Sequence, residues 1–372
     1  MPRIYINGRF LTQPTTGVQR YARDLCESLD ELLETEPQHR DHELVILTPR
    51  RHMHDVPQLK WIPIRRVGRL GGHAWEQCEL PWYSAGGLLF CPGNTTPLVS
   101  LGLRRKTVTT IHGMSFRTCP ESYTLGFRLL YRAIVPLALK YGTAVLTASS
   151  TEKQRILRYY QYPTLPDRLQ VIPHGCKGFE NLPEQPALTN LRHDEPYLLY
   201  VGSLNQTKNL QRVLQAVALV NRTHSVQLTI VGSGNKFLQE TPLLIPENLR
   251  KKVNVLGQIE EKQRLARLYH NAACFVFPSL YESFGLPPLE AMSCGCPVVV
   301  SNMPSMRSLC GPAALYCNPY DPQDIAQKIQ MIIDCPAYAD ELGQRGRQRS
   351  SLFDCQKNAA SHLDVMRRVL AA

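Results

Sequence analysis

The sequence has no hydrophobic run long enough to cross a membrane. No segment of its 372 residues approaches the roughly 18 consecutive apolar residues that a spanning helix needs. The N-terminal segment MPRIYINGRF also lacks the apolar stretch of a secretory signal and has the pattern of a strand. We therefore expect a cytoplasmic protein.

Several short motifs of metal, redox and nucleotide chemistry are missing as well. The twelve cysteines include no C-x-x-C pair, and the sequence contains neither G-x-x-x-x-G-K-[ST] nor G-x-S-x-G. Asp-x-Asp, a metal-binding motif of one large class of enzymes, does not occur either. These absences argue against metalloenzymes, P-loop NTPases and serine hydrolases, so we expect no cofactor and no metal site.

Acidic residues are scarce in one part of the chain. The net charge of the whole sequence is +11, and residues 50–140 hold thirteen Lys and Arg but only four Asp and Glu. Such a basic surface attracts nucleic acid, anionic lipid or a phosphorylated substrate, or it simply aids solubility. No helix-turn-helix, zinc-finger or RNA-binding signature accompanies it, so we expect no nucleic-acid partner.

What the sequence does contain is a regular alternation of short apolar strands and amphipathic helices. Alternation of this kind predicts an α/β fold with parallel sheets covered on both faces. In the first half, the predicted elements are strands RIYIN (3–7), ELVILTP (43–49), LLFCP (88–92), TVTTIHG (107–113), TAVLTAS (143–149) and LQVIPHG (169–175), and helices at 17–34 and 152–161, the second capped by Ser150 or Thr151.

A polar, proline-rich linker at 181–196 is followed by a second run of the same kind. The length suits two domains of roughly 100–200 residues each, and we predict two Rossmann-like, doubly wound domains that face each other across a cleft, at 1–185 and 186–354. The predicted elements of the second domain are strands at 197–203, 226–232, 253–257, 273–279 and 297–301, and helices at 208–222, 260–272 and 287–294.

Ligands of such sheets bind beyond the carboxyl ends of the strands, which makes the loop after ACFVFPS the first candidate site. Glu282 lies in this loop and Glu290 in the first turn of the next helix, and we expect neither carboxylate to be buried in a core. Between them, the backbone N–H groups of Phe284, Gly285 and Leu286 form an anion site at a helix N-terminus, which suits a phosphate. Two carboxylates would repel a phosphate, so they favour a ligand that also has hydroxyl groups and develops positive charge, such as a nucleotide sugar during glycosyl transfer. The alternative is that Glu290 complements the helix dipole and Glu282 is solvated.

Other strand-end loops contribute a cation, two histidines and a glycine. Lys208 stands where the helix after YLLYVGS is predicted to begin, a position at which a cation opposes the helix dipole. Binding of a diphosphate would explain a lysine at this position. The alternative is that Lys208 is simply solvated. His112 and His174 end two predicted strands and are placed to hydrogen-bond a sugar hydroxyl, although a lone histidine is equally well a structural residue. Gly17 opens the first long helix, and we expect its N–H to point into the same cleft.

At these residues the sequence resembles a known family. The segment from Glu282 to Met292, ESFGLPPLEAM, is similar to the E-x7-E motif of retaining glycosyltransferases of family 4, and the likeness continues through GCPVVVS. NGRFLTQPTTGVQRYARDL (7–25) resembles a bacterial subgroup that includes O-antigen and exopolysaccharide mannosyltransferases. VIPHG, YVGSLNQTKNL and DPQD follow in family order, so the resemblance covers most of the chain.

The resemblance implies a GT-B fold in which domain 1–185 receives the acceptor and domain 186–354 binds the donor. It also implies that the last helix, about 355–372, packs back onto the first domain. The residues it places around the donor are Gly17, Gly202, Ser203, Lys208, Phe284, Gly285, Leu286 and Glu290, with Glu282 and His112 as the catalytic residues at the transferred sugar.

Within this set, the resemblance assigns the diphosphate to Lys208, the ribose hydroxyls to Glu290 and the donor sugar to Glu282. The chain departs from the family at one point. Where the family has an Arg beside the Lys, either just after the glycine or just before the Lys, this sequence has Ser203 and Thr207. The diphosphate charge must then be neutralised by Lys208, by backbone N–H groups or from elsewhere in the site.

The predicted function is retaining, metal-independent transfer of a hexose from a nucleotide sugar to a glycan or lipid-linked acceptor of a growing surface polysaccharide. GDP-mannose is the first choice of donor, with UDP-glucose and similar donors still open. Two alternatives share the fold: a nucleotide-sugar 2-epimerase and a nucleotide-sugar-binding protein without turnover. A lipid-linked acceptor would bring the basic, apolar stretch 124–142 against an anionic membrane surface, so we also expect peripheral binding to the inner face of the plasma membrane.

Overall fold

The computed structural model describes residues 3–179, 196–232 and 244–372. The chain divides into two compact units: unit 1 comprises Met1–Arg117, Gly126–Gly175 and Asp354–Ala372, and unit 2 comprises Thr118–Leu125 and Cys176–Phe353. The predicted linker at 181–196 and the predicted domain boundary at 185 lie outside the described residues, apart from Pro196.

Unit 1 is built on a seven-stranded parallel sheet. Its strand order is β3-β2-β1-β4-β5-β6-β7, so the chain builds outward on one side of β1 and then crosses to the other side to continue with β4. The strands are β1 (Arg3–Asn7), β2 (Glu43–Pro49), β3 (Ile64–Val67), β4 (Leu88–Cys91), β5 (Thr107–Thr110), β6 (Ala144–Thr147) and β7 (Leu169–Val171).

The first unit has helices from both ends of the chain. The last helix packs against α1 and also contacts β4 and β5, so the C-terminal segment is part of unit 1. The helices are α1 (Gly17–Thr35), α2 (Gly72–Cys78), α3 (Leu80–Tyr83), α4 (Leu98–Gly102), α5 (Ser115–Thr118), α6 (Leu125–Tyr141), α7 (Ser150–Tyr159), α8 (Leu165–Arg168) and, from the far end of the chain, α15 (Cys355–Ala371).

Unit 2 repeats this plan around a six-stranded parallel sheet of order β10-β9-β8-β11-β12-β13. Its strands are β8 (Tyr197–Val201), β9 (Gln227–Val231), β10 (Val253–Gly257), β11 (Cys274–Phe277), β12 (Val298–Ser301) and β13 (Leu315–Cys317). Its helices are α9 (Leu210–Val220), α10 (Lys262–Asn271), α11 (Leu286–Ser293), α12 (Pro304–Cys310), α13 (Pro322–Asp334) and α14 (Pro336–Ser350).

The central strands of both sheets are buried on both faces, which explains their nearly continuous apolar sequences. Every residue of β8 and of β11 is buried, and α9 and α13 cover the sheet with apolar side chains such as Val213 and Ile325. The predicted fold class, two doubly wound parallel-sheet domains of Rossmann type, is confirmed in each unit.

Local predictions failed where the signal was weak. Strands β3 (IRRV) and β13 (LYC) were not predicted, because each is a short edge strand and does not have a fully buried apolar run. Helix α7 is capped by Ser149, whose hydroxyl accepts the Glu152 N–H at 3.1 Å, and not by Ser150 or Thr151. Among the described residues, no helix is long and apolar enough to span a membrane.

Candidate active site

The topology of unit 2 marks one place in its sheet as the expected ligand site. The chain runs from β8 outward to β10 and then returns to the other side of β8 with β11. In open α/β sheets, ligands bind beyond the carboxyl ends of the strands at this reversal of strand order. The loops that follow β8 and β11 are therefore the relevant ones, and they contain Lys208 and Glu282.

The loop after β8 forms a tight turn that fixes the backbone of Lys208. The Asn205 side chain accepts the Lys208 N–H at 3.2 Å, and Lys208 ends a single 3-10 turn rather than beginning a helix. Asn209 follows in the left-handed conformation, with φ of 60°, and its amide donates to the carbonyls of Pro278 and Pro319 at 2.7 Å each. The prediction that a helix begins at Lys208 was therefore wrong, because helix α9 starts at Leu210.

Lys208 and Glu282 form an ion pair. The Lys208 Nζ lies 2.6 Å from Glu282 Oε2, and the two side chains keep only 19% and 13% of their surface exposed. The ammonium group also lies 5.1 Å from the centre of the Phe277 ring, and the Leu280 N–H donates to the Thr207 carbonyl at 2.7 Å, which ties the two loops together. A cation and a carboxylate thus share one partly open position at the strand reversal.

The turn after Glu282 requires glycine. Gly285 has a φ of 111°, and a Cβ atom added to it would lie 2.7 Å from Cε of Met306. Helix α11 begins at the next residue, Leu286. Pro287 and Pro288 have no N–H, and the Leu289 N–H donates to the Gly285 carbonyl at 3.2 Å, so Leu286 supplies the one N–H of the first turn without a partner in the helix, close in sequence to Glu282. Phe284 is buried beside this turn and its ring contacts Phe353 edge to face.

Glu290 does not have the environment that the sequence predicted. It lies in α11 just past the first turn, is only 2% exposed, and accepts a hydrogen bond from the Tyr269 hydroxyl at 2.9 Å. The expectation that neither carboxylate of the E-x7-E motif is buried holds for Glu282 and is wrong for Glu290. Burial occurs because α10 places Tyr269 against α11, a contact between residues 21 positions apart.

Two further members of the predicted set, His112 and Gly17, belong to unit 1. His112 Nε2 lies 2.6 Å from the Pro92 carbonyl, so this nitrogen carries the proton and Nδ1 is left as an acceptor. Burial lowers the pKa of His112 to about 4, which makes the ring neutral at pH 7. Gly17 begins α1 and is exposed, and a Cβ atom built on it would meet nothing within 4 Å, so the backbone here is open to a ligand.

His112 belongs to a buried aromatic cluster that the sequence did not reveal. The Tyr21 ring packs 4.8 Å from the His112 ring and 4.2 Å from the His174 ring, and the Tyr21 hydroxyl donates to His362 Nε2 at 2.7 Å. Burial also lowers the pKa values of His174 and His362, so all three rings are neutral at pH 7. Tyr21 and His362 are 341 residues apart, and no local sequence signal connects them.

A second polar cluster occupies the strand reversal of unit 1, between β1 and β4. Glu76 is completely buried and accepts hydrogen bonds from the Asn7 amide at 2.6 Å, the Thr95 hydroxyl at 2.9 Å and His73 Nδ1 at 2.9 Å. The Arg9 guanidinium lies 3.4 Å from the same carboxylate and is also buried. Burial on its own would raise the pKa of Glu76, but Arg9, His73 and Thr95 together lower it to about 2.

Comparison with known proteins gives a matching family and a related protein of known name. Residues 183–349 match the family described as glycosyl transferases group 1, and the chain therefore contains a domain of that family. O-antigen chain mannosyltransferase B of Escherichia coli is 31% identical over 257 residues, which are 67% of this chain and 66% of that protein. The chain thus spans slightly less than two thirds of this relative's length.

Solved structures of other proteins have the same fold. Sucrose-phosphate synthase from Thermosynechococcus elongatus aligns with a TM-score of 0.74 and 22% identity, over 100% of this chain and 99% of that one. HepE from Anabaena, in complex with UDP and glucose, aligns with a TM-score of 0.72 and 17% identity, over 99% of each chain. The predicted GT-B fold and the predicted resemblance to bacterial O-antigen mannosyltransferases are confirmed.

Proposed function

We propose that this protein is a retaining, metal-independent glycosyltransferase that moves a hexose from a nucleotide sugar to a growing surface polysaccharide. Mannose from GDP-mannose is our first choice, because the E. coli relative is named an O-antigen chain mannosyltransferase. The observation that carries the proposal is the Lys208–Glu282 pair at the strand reversal of unit 2. It joins a cation suited to a diphosphate with a carboxylate suited to a sugar.

The proposed roles follow from charge and burial. Lys208 and the N–H groups of Gly285 and Leu286 would hold the diphosphate, with Gly202 and Ser203 forming the backbone turn beside it. Lys208 pairs with Glu282 in the structure, so a bound diphosphate would replace the carboxylate as the partner of the ammonium group. Glu282 would then be available to hydrogen-bond the sugar and to stabilise an oxocarbenium-like transition state.

Glu290 and His112 would act at the two ends of the donor. A buried carboxylate already oriented by the Tyr269 hydroxyl is suited to accept hydrogen bonds from the ribose hydroxyls. His112 is a neutral ring with one nitrogen occupied by the Pro92 carbonyl, so its other nitrogen can accept a hydrogen bond from a hydroxyl of the transferred sugar. In unit 1, the open backbone at Gly17 would approach the phosphates.

The test combines donor binding with product analysis. Thermal shift with GDP-mannose, UDP-glucose and dTDP-glucose identifies the donor, since a ligand at 100 times its Kd adds about 2.7 kcal/mol of stability. Turnover is then measured with octyl mannoside, glucoside and galactoside as acceptors, with and without EDTA, and proton NMR shows the anomeric configuration of the product. We expect retention and full activity in EDTA. Isomerised donor in the absence of acceptor would identify an epimerase, and binding without turnover would identify a binding protein.

We also propose that α6 docks on the anionic inner surface of the plasma membrane, where a lipid-linked acceptor would be found. Exposed apolar side chains recur at every fourth position of the helix and form a stripe: Leu125, Leu129, Ala133, Leu137 and Tyr141. Leu125 and Leu129 keep 66% and 60% of their surface exposed, and Arg132 and Lys140 are exposed on the same helix, which contains no Asp or Glu. An exposed apolar stripe flanked by cations is typical of helices that lie in a membrane interface.

This proposal predicts salt-sensitive binding to vesicles that contain phosphatidylglycerol. Each basic residue near an anionic surface contributes about 1 kcal/mol, so Arg128→Glu with Arg132→Glu should reduce binding at least tenfold in a sedimentation assay. The matched control is Arg222→Glu with Lys251→Glu, which makes the same charge change at exposed positions of unit 2. Equal binding to neutral vesicles, or equal losses in the two variants, would contradict the proposal.

A further inference from the structure

Unit 1 has its own strand reversal, between β1 and β4, and the rule that locates the donor site in unit 2 applies there as well. The polar cluster of Asn7, Arg9, His73, Glu76 and Thr95 lies at this reversal. Asn7 is the last residue of β1, and Thr95 follows β4 by four positions. Glu76 and Arg9 form an ion pair that is almost fully removed from solvent, which is costly unless further hydrogen bonds complete it.

Within this five-residue cluster, His73 alone reaches the surface. The other four residues are buried, whereas 26% of the His73 side chain remains exposed. Its Nδ1 lies 2.9 Å from Glu76 Oε2, and because an ionised carboxylate only accepts hydrogen bonds, Nδ1 carries a proton. The Arg9 Nη1 atom lies 3.4 Å from Nε2, too far for a strong hydrogen bond. The Nε2 atom therefore has a fixed position and can accept a stronger hydrogen bond from another donor.

Aromatic side chains adjoin the imidazole. The His73 ring meets the Tyr131 ring edge to face with centres 6.2 Å apart, and Phe127, which is half-buried, stacks on Tyr131 at 3.8 Å. A small-molecule site typically combines apolar and aromatic walls with a few oriented polar groups. Both aromatic residues come from α6, the helix that also presents the exposed apolar stripe, so this corner of unit 1 lies next to the surface proposed to face the membrane.

We propose that His73, oriented by Glu76 and flanked by Phe127, binds the acceptor sugar through one of its hydroxyl groups. The inference rests on the proposed glycosyltransferase function and assigns the acceptor side of that reaction. The acceptor hydroxyl donates to Nε2 of His73, and the apolar face of the sugar lies against the Phe127 ring. Glu76 acts through His73, as a positioning residue, because it fixes the ring orientation and the proton on Nδ1.

The test separates acceptor binding from donor binding. With the donor and the octyl glycoside that the wild-type enzyme uses best, His73→Ala should raise the acceptor KM about tenfold, the upper range for one neutral hydrogen bond, with the donor KM unchanged. Hydrolysis of the donor without acceptor should also be unchanged. His73→Gln, which keeps a hydrogen-bonding group near the position of Nε2, should recover part of the acceptor affinity. Phe127→Ala should raise the acceptor KM in the same way.

The control is His52→Ala, an exposed histidine of the same unit that is expected to leave all constants unchanged. An acceptor KM in His73→Ala equal to that of His52→Ala would overturn the inference while the glycosyltransferase function stands. A donor KM that rises with the acceptor KM would assign His73 to the donor and would overturn it too. Absence of transfer and of donor hydrolysis in the wild type would overturn the proposed function and, with it, this inference.

Discussion

Replacing Glu282 by alanine is expected to lower kcat by about 10²- to 10³-fold, the usual effect of removing one well-placed electrostatic partner of a transition state. Binding of the nucleoside diphosphate should be undiminished or tighter, because the substitution frees Lys208 from the ion pair that it forms at 2.6 Å. Folding should be intact, since the pair lies at a partly open loop rather than in the core. Single-turnover rates and calorimetric titration of GDP or UDP measure the two effects separately.

The comparison variant is Glu290→Gln, which removes the charge but keeps an oxygen that can accept the Tyr269 hydroxyl. If Glu290 holds the ribose, it binds ground state and transition state about equally, so the donor KM should rise with a smaller change in kcat. Tyr269→Phe controls for the buried hydrogen bond itself. If Glu282→Ala lost nucleotide binding and Glu290→Gln kept it, the roles of the two carboxylates would be the reverse of those proposed.

Glu76→Gln is expected to destabilise unit 1 by about 3–5 kcal/mol, because it leaves the buried guanidinium of Arg9 without its counter-charge. All three tryptophans of the chain, Trp61, Trp75 and Trp82, lie in unit 1, so intrinsic tryptophan fluorescence during urea unfolding reports on this unit specifically. The midpoint of that transition should fall, while unit 2, which contains none of the three fluorophores, does not contribute to the signal.

Two further variants show whether burial causes the effect. Glu34→Gln breaks the ion pair between Glu34 and Lys60, whose side chains are 45% and 71% exposed, and it should leave the midpoint of unfolding nearly unchanged. The double change Arg9→Met with Glu76→Gln removes both charges and keeps an oxygen that accepts from Asn7 and Thr95, so it should restore much of the stability lost in the single variant. If the Glu76→Gln and Glu34→Gln proteins were equally stable, the buried guanidinium of Arg9 would not need the counter-charge of Glu76, and the expectation would be refuted.

The sequence was informative where a signal is local. Strands such as β1 and β8 could be located because buried parallel strands are continuous apolar segments, and the positions of Lys208 and Glu282 followed from the rule that ligands meet the carboxyl ends of strands. Their 2.6 Å contact joins residues 74 positions apart and was not predicted, although both residues were placed in strand-end loops of the same sheet.

The remaining features depend on contacts that no local pattern encodes. The burial of Glu290 depends on Tyr269, and the clustering of His112 depends on Tyr21 from α1. Glu76 has partners from three places in the sequence, at Asn7, His73 and Thr95. In the sequence, complementing the helix dipole was the alternative role of Glu290, a structural role was the alternative for His112, and Glu76 carried no prediction of its own. Only the packing of the helices on the sheet brings the partners together.

The position of α15 has a consequence for the order in which the molecule assembles during translation. Unit 1 begins at the N-terminal strand but obtains its last helix from residues 355–371, after all of unit 2 has been synthesised. Until then, the face of α1 that α15 covers is exposed on the ribosome, and Tyr21 lacks the histidine that accepts its hydroxyl hydrogen. Unit 2, which is contiguous from Cys176 to Phe353 apart from Thr118–Leu125, can therefore fold to completion before the unit that precedes it.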